Sequence, residues 1–370
     1  MILLPSLIIY YIILYNLFKL IKNFIIIIYT METLREKRLS STNIKEKSWK
    51  QYARNINRIT EGITGKAYVN NDFLQVYSAV NDWINENSSS DAMKRMFYSV
   101  ILIMLAPDKN DKEAQNKMEY KHYQKKLADL AFSYNETKAT QVKSVKEDVN
   151  WVAWFRILAF QKTMARDVFK MVKADNFQVN RKTRTAIQNA LIISLYTLIK
   201  PRRLDYANMV IISIKNYNNM DSKDREKSNF LVIVGKNKKF FSFGKQAQKN
   251  QNTDKNGVKQ SVYVLPVPSK LNKIINTYLK FHPEDAFQKS FLTRPFLYNT
   301  RGGAISGDGL SKAMIKIMKA RFNKNISPTM LRTIYLSDKH KNDVSVEEKQ
   351  TTAEEMGHTI DTAQKFYQKK

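Results

Sequence analysis

Cysteine is absent from the 370 residues, so disulfides and thiolate metal sites are excluded and the fold is indifferent to the redox state of its compartment. Histidine is scarce as well: only His122, His282, His340 and His358 occur, and no two stand at a metal-ligand spacing. That argues against a transition-metal enzyme, and no cofactor is expected. Acidic residues are outnumbered by basic ones, 33 against 62, leaving a formal net charge of +29. A surplus of that size repels itself unless a polyanion neutralises it, so nucleic acid or an anionic membrane is the expected partner. Heavy use of Ile, Asn, Lys, Tyr and Phe is what AT-rich coding DNA produces, which discounts part of the lysine excess. With 43% hydrophobic and 11% aromatic residues the chain can still build packed cores, unlike a disordered basic tail. Its length suits two domains, and no internal repeat is visible.

Residues 1–30 stand apart. They are apolar from Leu3 to Phe18 and again from Phe24 to Tyr29, interrupted by Lys19 and Lys22. The run is long enough for a membrane span, and Arg35, Lys37 and Arg38 would hold its C-terminal side in the cytoplasm. A secretory signal fits poorly, since there is neither a basic n-region nor a small-residue cleavage site. Met31 opens an ordinary polar start, METLREKRLSS. The segment is therefore expected to be an over-extended start or dispensable leader, the alternative being an anchor that would add a membrane to the partners.

From Lys47 the pattern is helical. Trp49, Tyr52, Ile56 and Ile59 share one face, as do Phe73, Val76, Val80, Trp83 and Ile84. Ser88–Ser90 and Asp91 cap a third helix that stops at Pro107. A charged segment, 108–126, leads to a helix carrying Trp151, Trp154, Phe155 and Leu158, which breaks near Asp175–Asn180. Thr183–Ile199 contains the apolar run ALIISLYTLI and is expected to be buried. Strand-like runs follow at Phe230–Val234, Phe240–Phe243 and Ser261–Val267, then helices at 270–281 and 310–322 and onward to the end. The expected fold is mainly α (α+β): a helical domain over 31–178, then a mostly helical domain over 179–370 with one small antiparallel sheet.

Three motifs carry chemistry. EEMGHTIDTAQKFYQKK sets His358 nine residues before Tyr367. On one helix that is about two and a half turns, which points the side chains apart. Gly357 as a helix stop, with Thr359 or Asp361 capping a new helix, would let both reach one point. In SPTMLRTIYLSD, Pro328 and Thr329 begin a helix with Arg332 on its first turn, suited to gripping a phosphate or simply facing solvent. In LYTLIKPRRLDYANM, Pro201 can open a helix with Arg202 and Arg203 in its first turn and Asp205 placed to orient a guanidinium.

Taken in this order, the motifs resemble the tyrosine recombinase (integrase) family: Arg202 with Asp205 three positions on, Leu331–Arg332, Gly357–His358, and Tyr367. The likeness runs from about Thr183 to the end, and more loosely the helices from about Ser48 to Ala106 resemble that family's core-binding domain. The resemblance implies a catalytic domain at 179–370 and a DNA-binding domain at 31–178, acting on double-stranded DNA as a homo-oligomer, a tetramer. Tyr367 would attack the scissile phosphate to form a 3′-phosphotyrosine, Arg202 and Arg332 would clamp it, and His358 would hydrogen-bond it. A strand lysine, assigned to Lys245 with Lys236, Lys238 and Lys239 as alternatives, would protonate the leaving oxygen; neither metal nor ATP is implied. The setting implied is intracellular, on DNA, in integration by a virus or mobile element. A type IB topoisomerase, a telomere resolvase and a catalytically inactive DNA-binding relative share the pattern. Two departures stand out. Thr329 occupies a position where the family usually has histidine or lysine, and only three residues follow Tyr367, whereas many members dock a longer tail on a neighbouring subunit.

Overall fold

The computed structural model describes residues 31–42, 44, 46–244, 262–282, 294–341 and 344–369; the apolar segment 1–30 and Lys245 lie outside them. The fold is mainly helical with one small sheet. It divides into two compact units, the first ending at Thr137 and the second beginning at Lys138.

The first unit is helical. Helix Glu46–Thr64 turns Trp49, Ile56 and Ile59 inward, helix Tyr77–Asn87 contributes Val80 and Ile84, and helix Asp91–Leu105 contributes Phe97, Val100 and Ile101. Each such side chain, fully buried, stabilises the fold by roughly 1.5–3 kcal/mol. Ser90 caps the third helix by accepting from the Met93 N–H. Val76 does not join the apolar face: residues Asp72–Gln75 form a 3-10 turn, the helix starts only at Tyr77, and Val76 is left exposed. The long helix Met118–Ala139 is tied in by Tyr123, whose hydroxyl donates to the Leu74 carbonyl at 2.7 Å.

In the second unit, helix Arg181–Leu195 is the buried axis, started by a reciprocal Asn180–Thr183 capping box. Helices Trp154–Met171, Ser269–Lys280 and Gly307–Phe322 pack around it. The domain boundary expected between 178 and 179 therefore differs from the edge of compactness. Trp154, Ile157 and Val168 lie in the same core as Leu191 and Leu195, and Gln161 donates to Ser194 Oγ at 3.0 Å. The break at Asp175–Asn180 is a loop between two packed helices.

The sheet runs β1 (Val210–Ser213), β2 (Phe230–Ile233), β3 (Lys239–Phe243), β4 (Tyr263–Pro266), in that order. It is mixed rather than antiparallel throughout, because β1 pairs with β2 in parallel. Short helices Ile214–Asn218 and Ser222–Lys227 form the crossover that returns the chain to the same end, as a parallel pair requires. The strand-like runs omit β1, whose VIIS follows closely on the turn that carries Arg202. Phe241 and Phe243 turn toward the main core against Tyr206, with ring centroids 5.5 and 6.0 Å away.

Candidate active site

Residues 203–208 run as bends and turns after an irregular 201–202, so the helix expected to open at Pro201 does not form. The backbone there bonds elsewhere: Asn208, at φ +53°, donates its N–H to the Ile305 carbonyl, and Asn229 donates to the Asp205 carbonyl at 2.8 Å. The turn carries Arg202 inward to complete burial. Its Nε donates to Asp205 Oδ2 at 2.7 Å and its Nη1 to the Glu355 carbonyl at 2.5 Å. The guanidinium lies 4.0 Å from the Phe243 ring centroid, so β3 ends directly against it. A buried cation needs such partners, and Asp205 supplies the opposite charge.

Ser327 caps helix Pro328–Lys339, which makes Arg332 its fifth residue, on the second turn rather than the first. Thr329 is exposed near the helix start. Arg332 is fully buried, and its Nη1 donates to the carbonyls of Met356 at 3.0 Å and Pro201 at 3.4 Å. Its Nε and Nη2 are buried with no acceptor among the described residues. Burial draws the guanidinium down to about 10, and it remains a cation at neutral pH. Two unpaired N–H groups on a buried charge are costly unless an anion joins them.

Helix Val346–Glu355 stops where the sequence predicts. Gly357, at φ +73°, and His358 donate back to the carbonyls of Glu354 and Ala353, a Schellman closure. Thr359 then caps a new turn by accepting from the Thr362 N–H. That turn continues as a π-helical segment, Ala363–Tyr367. The break brings the rings of His358 and Tyr367 face to face, 5.3 Å between centroids and 21° between planes. Arg332 lies 4.8 Å from the Tyr367 ring centroid. The phenol oxygen accepts from Arg203, Nε at 3.2 Å and Nη2 at 3.0 Å. Ser337 Oγ donates to the Tyr367 carbonyl and accepts from the Lys369 N–H, so the backbone around the tyrosine is fastened on both sides.

His358 Nδ1 lies 3.1 Å from the Thr359 carbonyl, an acceptor, which assigns the ring proton to Nδ1. Nε2 is then a bare lone pair, buried and without a partner among the described residues. Burial first, and the charge of Arg332 next, push His358 down to about 3, so the ring is neutral.

Of the other expected residues, Lys245 is outside the described residues. Lys236 and Lys238 lie on the β2–β3 turn. Lys239 is the first residue of β3 rather than part of the turn. Its ammonium donates to Asn272 Oδ1 at 2.7 Å, Asn276 Oδ1 at 2.6 Å and the Lys236 carbonyl at 2.8 Å. Phe243 stands four positions further along the strand, roughly 13 Å away. Tyr335 meets Trp154 edge-to-face and Tyr298 stacks on Tyr278, and burial raises each to about 12.

Arg203 is the contact that sequence reasoning missed; the signal is the doubled arginine in PRR, but nothing in its spacing selects the second of the pair. Among the described residues no cluster of His, Cys, Asp or Glu could hold a metal, and no helix is long and apolar enough to cross a membrane.

Neither protein-family profiles nor curated proteins match the chain. A solved structure, "Crystal structure of XerA recombinase", is similar with a TM-score of 0.31 and 9% identity over 91% of each chain. A likeness of that size says nothing about what this chain does.

Proposed function

We propose that the chain is a DNA strand transferase of the tyrosine recombinase kind, with Tyr367 as its nucleophile. The observation that supports this reading is the meeting of three distant stretches at one phenol: Arg203 on its oxygen, Arg332 over its ring, and His358 stacked against it. Guanidinium groups are the donors of choice for a phosphate, and two N–H groups of Arg332 lack any other acceptor among the described residues.

In the cleavage step the Tyr367 oxygen attacks phosphorus, forming the tyrosyl O–P bond as the bond to the 5′ oxygen breaks. The phenol gives up its proton, for which Nε2 of His358 becomes an acceptor once the bound phosphate anion raises the basicity of the ring, and the departing oxygen takes a proton from Lys245. Once protonated, His358 can donate to a phosphate oxygen. Arg202 and Arg332 offset the added negative charge of the transition state. The products are a 3′-phosphotyrosine and a free 5′ hydroxyl, and attack by a 5′ hydroxyl from another strand reverses the step, so the covalent link conserves the bond energy. Arg202 and Arg332 are fully buried and Tyr367 is 5% exposed, so the phosphate is admitted when the tyrosine ring lifts off Arg332 with its oxygen still held by Arg203. The π-helical turn that carries it is the segment that must give.

Double-stranded DNA as the substrate is supported by charge. Lys162, Arg166, Lys170 and Lys173 line a groove of about 500 Å³ together with Lys270 and Lys273, and no carboxylate lines it. In this reading the first unit grips the duplex, the second carries the chemistry, and a tetramer on DNA performs strand exchange for an integrating element. A nicked duplex that loses its 5′ fragment on cleavage should trap a covalent protein–DNA adduct. Tyr367→Phe should abolish the adduct while leaving binding largely intact, and an adduct that persists in that variant would refute the reading.

A further inference from the structure

The two arginines expected to clamp a phosphate do not touch the Tyr367 oxygen. Arg202 commits Nε to Asp205 and Nη1 to the Glu355 carbonyl, and its face to Phe243. Arg332 meets the face of the tyrosine ring. The side chain that reaches the oxygen is Arg203, through Nε and Nη2, two donors on one edge of its planar fork. Its backbone is held in place, since the Tyr196 hydroxyl donates to the Arg203 carbonyl. No carboxylate lies within ion-pair distance of it among the described residues, so its charge is not already neutralised; the neighbouring Asp205 is engaged by Arg202.

We propose that Arg203 is a catalytic residue that holds the Tyr367 oxygen in its attacking position and stabilises the negative charge the oxygen carries as its proton leaves. The proposal rests on Tyr367 being the nucleophile. A guanidinium stays protonated and can only donate, so Arg203 is no base. Its two N–H groups occupy both lone pairs of the neutral phenol oxygen, which turns the hydroxyl hydrogen away toward another acceptor. Loss of that proton creates a third lone pair, and this is the pair free to attack phosphorus. Arg203 thus leaves the neutral phenol unreactive and favours the phenolate, a charge-assisted interaction that grows as the reaction begins.

The test uses the full chain on a nicked duplex, with the rate of adduct formation measured in single turnover. Arg203→Gln should slow it by roughly 10²–10³-fold, as loss of one such donor does elsewhere, while duplex Kd and the unfolding temperature stay close to wild type. Arg203→Lys should recover part of the rate, because an ammonium keeps the charge but not the double contact. Tyr367 can be replaced through an amber codon by 2,3-difluorotyrosine, whose phenol ionises more readily. That replacement should narrow the rate gap between the chain with its native arginine and the Arg203→Gln chain by about tenfold or more, which a role in folding alone would not produce. The proposal is overturned if Arg203→Gln cleaves as fast as or faster than wild type, or if the fluorinated residue leaves the gap unchanged. A wild-type chain that forms no adduct, or a Tyr367→Phe chain that does, refutes the nucleophile itself, and that outcome is distinct from the other two.

Discussion

His358 should remain neutral far below the pH at which histidine ordinarily titrates. Buried and beside Arg332, it is pushed down from 6.5 to about 3, although its Nδ1 bond to the Thr359 carbonyl pulls the other way. In the unfolded chain it takes up a proton as the pH falls through 6.5; in the folded chain it does not. Its contribution to stability is therefore full above about pH 6.5 and is lost progressively from there down toward pH 3. At pH 5 the loss is RT ln(1 + 10^1.5), about 2 kcal/mol. Since the ring is only 6% exposed, solvent screening reduces this little. His122 and His340 are shifted in the same direction, so the comparison that isolates His358 is with His358→Gln. The difference in unfolding free energy between the two chains should change by about 2 kcal/mol from pH 7.5 to 5. A direct assay is available because the chain has only four histidines: carbon-13 label at Cε1 gives a four-line spectrum in which the line missing from His358→Gln is His358. That line should not move between pH 8 and pH 5, and adding a phosphate-bearing duplex should bring its midpoint up, because an anion beside Nε2 favours the charged ring. A midpoint near 6.5 in the free protein would refute the argument from burial and from Arg332.

Arg332→Met should leave the unfolding temperature of the DNA-free protein unchanged or higher, since it removes a buried cation with two unpaired N–H groups, while adduct formation falls by roughly 10²–10³-fold; a drop of several degrees would mean that the guanidinium is satisfied in the free protein. Lys239→Ala strips the donor from Asn272, Asn276 and the Lys236 carbonyl and should lower stability in urea by about 1–3 kcal/mol, whereas Lys245→Ala should suppress cleavage. Gly244→Ala would set its Cβ 2.2 Å from the Glu226 carbonyl oxygen, a backbone atom that cannot swing aside. A loss of about 1–3 kcal/mol in thermal unfolding is expected, with slower cleavage as Phe243 shifts beneath Arg202.

Much of the helical layout was legible because each helix depends on neighbours three or four positions apart. Trp49, Ile56 and Ile59 fall on one buried face as their spacing predicts, and Gly357 stops its helix because only a residue at ease with positive φ fits there. Pro201 misled for the converse reason. Its preference for a helix start was outweighed by bonds from Asn208 and Asn229 to and from remote segments. The parallel pairing of β1 with β2 joins segments twenty residues apart and could not be inferred from local pattern.

By itself, then, the order of residues determined where most helices begin and end, the chain break that separates His358 from Tyr367, and the excess of positive charge, all of which follow from short-range spacing or from counting. Only the tertiary structure decided which arginine meets the tyrosine oxygen, since Arg203 and Tyr367 are 164 positions apart. It likewise decided that Arg332 is buried with two donors unused and that His358 is neutral with Nε2 bare. Burial and hydrogen-bond partners are set by surfaces that distant segments present to one another, and no local pattern records them.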